Sequence, residues 1–111
     1  MELSIEKRDK TAIVAASGRL DAAGAPELEA RCKALIQEGA NRLLLDLAKV
    51  EYVSSAGLRS LLVLAKAVKS TGGGMALCSL VPAVRDVMTI SGFDNILPLA
   101  ADRPAALALL K

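Results

Sequence analysis

Apolar and polar positions along the chain change period several times, and those changes mark out the elements. Residues 3–6 alternate, Leu-Ser-Ile-Glu, and residues 11–16 form a second β-rich run centred on Ala12-Ile13-Val14. Asp9-Lys10 between them predicts a turn, so the chain opens as a hairpin whose first strand lies near a sheet edge. Gly18-Arg19-Leu20-Asp21 closes the hairpin, and residues 22–25 read as a loop. From Pro26 the period becomes helical. Leu28, Cys32, Leu35 and Ile36 share one face, Glu27, Arg31, Lys33 and Glu38 take the other, and Gly39 gives the stop. Residues 43–47, Leu-Leu-Leu-Asp-Leu, are a nearly continuous apolar run of strand length, the pattern of a strand covered on both faces.

A second helix is expected over residues 58–68. Leu58, Leu61, Leu64, Ala65 and Val68 fall on its inner arc, while Arg59, Lys66, Lys69 and Ser70 face out. Val63 falls in the middle of that outer polar face and is a candidate partner contact. Gly72-Gly73-Gly74 is a turn without the Lys-Ser/Thr of a phosphate-binding loop. Residues 75–78 predict a strand, Pro82 opens a third helix carrying Val84, Val87 and Met88, and Gly92 ends it. Residues 96–99 predict a short edge strand, and residues 103–110 a last helix. The order is β-β-α-β-α-β-α-β-α. It specifies one α/β domain over residues 1–111, with a mixed, mainly parallel sheet of four to five strands and four helices. In such sheets the loops at strand C-terminal ends engage ligands and partners. Asp21 and the pair Ser54-Ser55 both occupy such loops and are expected on one rim.

Composition narrows the chemistry. The chain is 53% hydrophobic with 2% aromatic residues, so its core is built from Leu, Val, Ile and Ala. The absence of histidine removes Ser-His and Cys-His catalysis and His-ligated metals. A Ser-Lys arrangement using Lys49, Lys66 or Lys69 is formally available, but two of these lysines lie on a solvated helix face. Asp21, Asp46 and Glu51 match no defined metal loop; Asp46 is expected to organise a strand end or turn. No catalytic residue, metal or cofactor is expected. A net charge of +2 with few aromatics gives no nucleic-acid surface. No signal peptide or membrane-length apolar run occurs, and a cytoplasmic protein is the expectation. Cys32 and Cys78 read as free buried thiols, with a disulfide between them left open.

Ser54 and Ser55 precede the second helix, where a hydroxyl can cap the first turn and a phosphate is electrostatically tolerated. Three strings, Gly18-Arg19-Leu20-Asp21, Leu43-Leu44-Leu45-Asp46-Leu47 and Val50-Glu51-Tyr52-Val53-Ser54-Ser55-Ala56-Gly57-Leu58, occur in the order and spacing of a known family. With Leu61-Leu62, Leu77-Cys78-Ser79-Leu80 and Ser91-Gly92-Phe93-Asp94-Asn95-Ile96-Leu97, the chain resembles, over essentially its whole length, the STAS domain of bacterial anti-sigma-factor antagonists. The resemblance implies a partner-switching protein. Its unphosphorylated form would bind a GHKL-type anti-sigma factor that is also a serine kinase; phosphorylation would release it, and a PP2C-type phosphatase would restore it. Carried over, the phosphoacceptor is Ser55, with Ser54 the alternative acceptor or the helix cap, and Asp21 supports the kinase interaction. Ser54 stands where the family often has Asp. The expected partner-binding set is Asp21, Ser54, Ser55, Gly57, Arg59, Val63 and Lys66. A second reading is a STAS subunit of another assembly, a stressosome-like complex or a lipid-transport ATPase.

Overall fold

A computed structural model describes residues 1–110. They form β1 (Glu2–Arg8), β2 (Thr11–Leu20), α1 (Ala25–Gln37), β3 (Arg42–Val53), α2 (Ser55–Lys69), β4 (Gly74–Cys78), α3 (Pro82–Ser91), β5 (Leu99–Ala100) and α4 (Arg103–Leu109). The five strands lie in sequence order, with β1 antiparallel to β2 and the rest parallel. The expected mixed, mainly parallel sheet with four helices is therefore what forms.

Because the parallel strands succeed one another in order, right-handed crossovers bring α1, α2 and α3 onto one face of the sheet. Alternation along each strand then divides the core. Val14, Leu43, Leu45, Leu47 and Leu77 pack beneath those three helices. Ile13, Leu44, Ala76 and Cys78 turn to the opposite face and meet Ala106 and Leu110 at the C-terminal end. This explains the unbroken apolar run of β3: Leu43, Leu44 and Leu45 are all fully buried, on alternate sides. The same division separates the thiols. Cys32 lies on the α1 side and Cys78 on the α4 side, both buried and free, so the disulfide left open by the sequence does not form.

Three strand ends differ most from expectation. The string Gly18-Arg19-Leu20 does not close the hairpin; β2 runs on to Leu20, and β3 runs past residue 47 to Val53. The extensions pair with each other after register shifts between Ala15 and Ser17 and between Gly18 and Arg19, restoring the pairs Arg19↔Tyr52 and Leu20↔Val53. Asp46 is therefore inside a strand. Its Oδ1 accepts the Ala48 N–H (3.0 Å), and its Oδ2 accepts from Arg103 Nε (2.7 Å), fastening the start of α4 to the sheet. The last strand is Leu99–Ala100 rather than residues 96–99, because Phe93–Asn95 form a 3₁₀ turn and Ile96 is left exposed.

Candidate partner-binding rim

The extended ends of β2 and β3 build the rim. With Leu20 and Val53 paired and buried, the next residues, Asp21 and Ser54, emerge side by side. The Ser54 N–H donates to the Leu20 carbonyl at 2.9 Å, tying the two exits together. Asp21 is held by the turn it makes: its Oδ1 accepts N–H groups from Ala23 (3.1 Å) and Gly24 (3.0 Å), and its Oδ2 lies 3.5 Å from Arg19 Nε. The Arg19 guanidinium also stacks 4.3 Å from the centroid of the Tyr52 ring, a cation–π contact between neighbours on paired strands.

The two serines have different environments. Ser54 caps α2 in an extended conformation, and its Oγ accepts the Gly57 N–H at 3.3 Å. Ser55 is the first residue of α2 and is exposed, and its side chain makes no hydrogen bond among the described residues. Gly57 is buried because α2 starts directly against the end of β2. A Cβ there would fall inside contact distance of the Leu20 carbonyl oxygen and 2.9 Å from Leu20 Cγ.

Arg59, Val63 and Lys66 continue from Ser55 along α2. At about 100° per residue the four lie within roughly 80° of each other. Arg59 and Lys66 are exposed as expected, whereas Val63 is partly buried and is not the fully exposed valine the phasing suggests. Leu62, partly buried on the same strip between Arg59 and Lys66, was not included in the expected partner-binding set, although helical phasing could have placed it there. Ser60 was also missed. It is buried, and its hydroxyl donates to Glu29 Oε1 of α1 at 3.0 Å, fixing the neighbouring helix against α2. Neither that bond nor the Arg19–Tyr52 contact has a local signal, since both join distant segments. Among the described residues no cluster of three or more His, Cys, Asp or Glu could hold a metal ion. No described helix is long and apolar enough to cross a membrane.

Two rim-side carboxyls are held below the ordinary carboxylate range. For Asp21 the main cause is the Gly24 N–H; burial opposes it, and the Ala23 N–H and Arg19 add to it. For Glu29 the causes are first Lys33 and then Ser60. A carboxyl whose pKa falls on folding contributes stability that is present above its unfolded value and lost as pH drops through the folded one. The Asp21→Asn variant should therefore lose less stability than the parent between about pH 5 and pH 3. Urea midpoints across that interval give the comparison, and equal losses in the two proteins would count against a folded-state role for the Asp21 turn.

The comparisons with known proteins agree with this geometry. A STAS-domain family model matches residues 2–106. The chain belongs to the STAS-domain family. Among full-length relatives, a protein of Bordetella bronchiseptica described as an anti-sigma factor antagonist, BtrV, is 42% identical over 111 residues, covering 100% of this chain and 96% of that one. An anti-sigma factor antagonist from Mycobacterium paratuberculosis is 29% identical, with a TM-score of 0.87 over 98% of this chain and 92% of its own. The antagonist SpoIIAA in its unphosphorylated form shares the fold, with a TM-score of 0.82 at 20% identity over 97% of this chain and 96% of that chain.

Proposed function

We propose that this chain is an anti-sigma-factor antagonist that works by partner switching. In its unphosphorylated form it binds a GHKL-type anti-sigma factor with serine kinase activity and frees that factor's target. Transfer of phosphate to Ser55 ends the complex, and a PP2C-type phosphatase reverses the modification. The observation that carries the reading is the division of labour at the start of α2: Ser54 is occupied as the cap, while Ser55, the next residue on the same rim, is exposed and its hydroxyl has no hydrogen-bond partner among the described residues. Family membership supports the same assignment.

Phosphate adds about −1.5 to −2 charges and three acceptor oxygens. At the first residue of a helix that charge meets unsatisfied N–H groups and a favourable dipole, so the domain tolerates it. A partner packed over Ser55 would have to desolvate it. The test is incubation with the cognate kinase and ATP, followed by mass mapping. One phosphate on Ser55 is expected, retained in Ser54→Ala and lost in Ser55→Ala; phosphate on Ser54 alone would overturn the assignment.

The same account makes the α2 strip the partner surface, with Val63 providing apolar area between Arg59 and Lys66. Val63→Asp should weaken the complex at least about 10-fold, roughly 1.4 kcal/mol, while thermal unfolding stays cooperative. An unchanged affinity in a folded variant would remove Val63 from the interface.

A further inference from the structure

The free edge of β1 has a self-complementary pattern, and we propose that it pairs antiparallel with β1 of a second copy of this chain to form a two-fold dimer with a continuous sheet. Seven residues pair with β2 in one unbroken register, from Glu2↔Ser17 to Arg8↔Thr11. The two-residue turn Asp9-Lys10 makes Arg8↔Thr11 the bonded closing pair. Alternation then turns the backbone groups of Glu2, Ser4, Glu6 and Arg8 toward β2. Those of Leu3, Ile5 and Lys7 are left facing outward, with no strand beyond them among the described residues.

Charges on a free edge usually block pairing. Here a two-fold axis at Ile5 makes them complementary. It places Ile5 opposite Ile5, Leu3 opposite Lys7 and Glu2 opposite Arg8 of the second copy, with about six interchain N–H···O bonds if each bonded pair exchanges two. Side chains follow the alternation. Leu3 and Ile5 are partly buried on the helix face, whereas Glu2 and Ser4 line the opposite face beside Ala15 and Asp46. The helix layer extends the match. Ile5 and Lys7 line one groove with Arg31 and Ala34 of α1 and with Glu38, which caps that helix, so a two-fold axis at Ile5 would bring the two α1 helices together along this groove. It runs the two α1 helices antiparallel, with Arg31 of one toward Glu38 of the other. Salt-bridge charges already along this edge, Lys7–Glu38 and Arg8–Glu6, are exposed and free to exchange partners. The two serine rims then point in opposite directions, each open to its own partner.

Sedimentation velocity over micromolar to near-millimolar concentration should show a shift from the chain mass to twice that mass. Lys7→Pro removes an outward N–H from an edge position where proline is tolerated, and should abolish the shift without loss of circular dichroism. Arg8→Glu should also abolish it, and the double variant Glu2→Arg, Arg8→Glu should restore it. In the parent chain, hydrogen exchange at the Leu3, Ile5 and Lys7 amides should slow with concentration while that of Ser4 and Glu6 does not change. A single-chain mass throughout, a dimer that survives Lys7→Pro, a charge swap that fails to restore it, or exchange independent of concentration would each overturn the proposal.

Discussion

Replacing Ser55 with aspartate is expected to raise the dissociation constant for the anti-sigma partner about 100-fold, roughly 2.8 kcal/mol, while leaving the melting temperature of the domain unchanged or slightly higher. The asymmetry follows from where the side chain stands. Ser55 is exposed at the first helical position of α2 and makes no hydrogen bond that the substitution would remove. A negative charge there faces the helix N-terminus, an interaction worth about 0.3–1 kcal/mol in the domain's favour. The same charge beneath a docked partner must give up its hydration, which costs several kcal/mol unless a cation meets it. Isothermal titration with the purified partner reads the first effect and thermal unfolding the second. Unchanged affinity in a folded variant would mean that charge at this position is not what separates the two proteins. Ser54→Asp has a different expected outcome, because aspartate is itself a good N-cap and can accept the Gly57 N–H now received by the serine hydroxyl.

Gly57→Ala should cost about 2 kcal/mol of stability, lowering Tm by roughly 10 °C. The added methyl would meet the Leu20 carbonyl, Leu20 Cγ at 2.9 Å and Val53 Cγ1 at 3.0 Å. The side-chain atoms can shift a little. The carbonyl belongs to the last residue of β2 and also accepts the Ser54 N–H at 2.9 Å, so moving it loosens the junction between β2 and the start of α2. Phosphorylation of Ser55 should consequently slow in the variant even at temperatures where it is folded. Calorimetry and initial rates with the kinase check the two effects. A Tm within about 2 °C of the parent, less than half a kcal/mol by the same conversion, would show that the rim backbone adapts and that the glycine is not needed for close approach.

The alternation of elements was legible because period and punctuation agree. Residues 43–47 read as a strand buried on both faces, and Leu43, Leu44 and Leu45 are buried alternately beneath helices on opposite sides. Pro26 and Gly39 bracketed α1 for reasons local to the chain. The strand ends were not legible. Gly18 and the polar residues Lys49 and Glu51 interrupt the apolar pattern, yet the backbone continues in the sheet because two register shifts bring Arg19 opposite Tyr52. That extension is what carries Asp21 and Ser54 to the same rim. Their proximity was predictable from the strand–loop–helix order, but the Arg19–Tyr52 stack was not. Ser60 shows the same limit. A serine on an otherwise apolar helical arc has no signal for a carboxylate thirty-one positions away until α1 and α2 are packed. Local chemistry separated a capping hydroxyl from a free one only in part; the two serines look alike in sequence, and the backbone at the helix start tells them apart.

On the proposed function, one phosphate on Ser55 switches partner binding off without unfolding the domain. The most direct measurement takes the chain phosphorylated to completion, with the site verified by mass mapping, and the same chain after phosphatase treatment, and titrates each into the anti-sigma factor. Tight binding is expected for the dephosphorylated form and a dissociation constant at least about 100-fold higher for the phosphorylated one, with superimposable circular dichroism. Equal affinities for the two forms would contradict it.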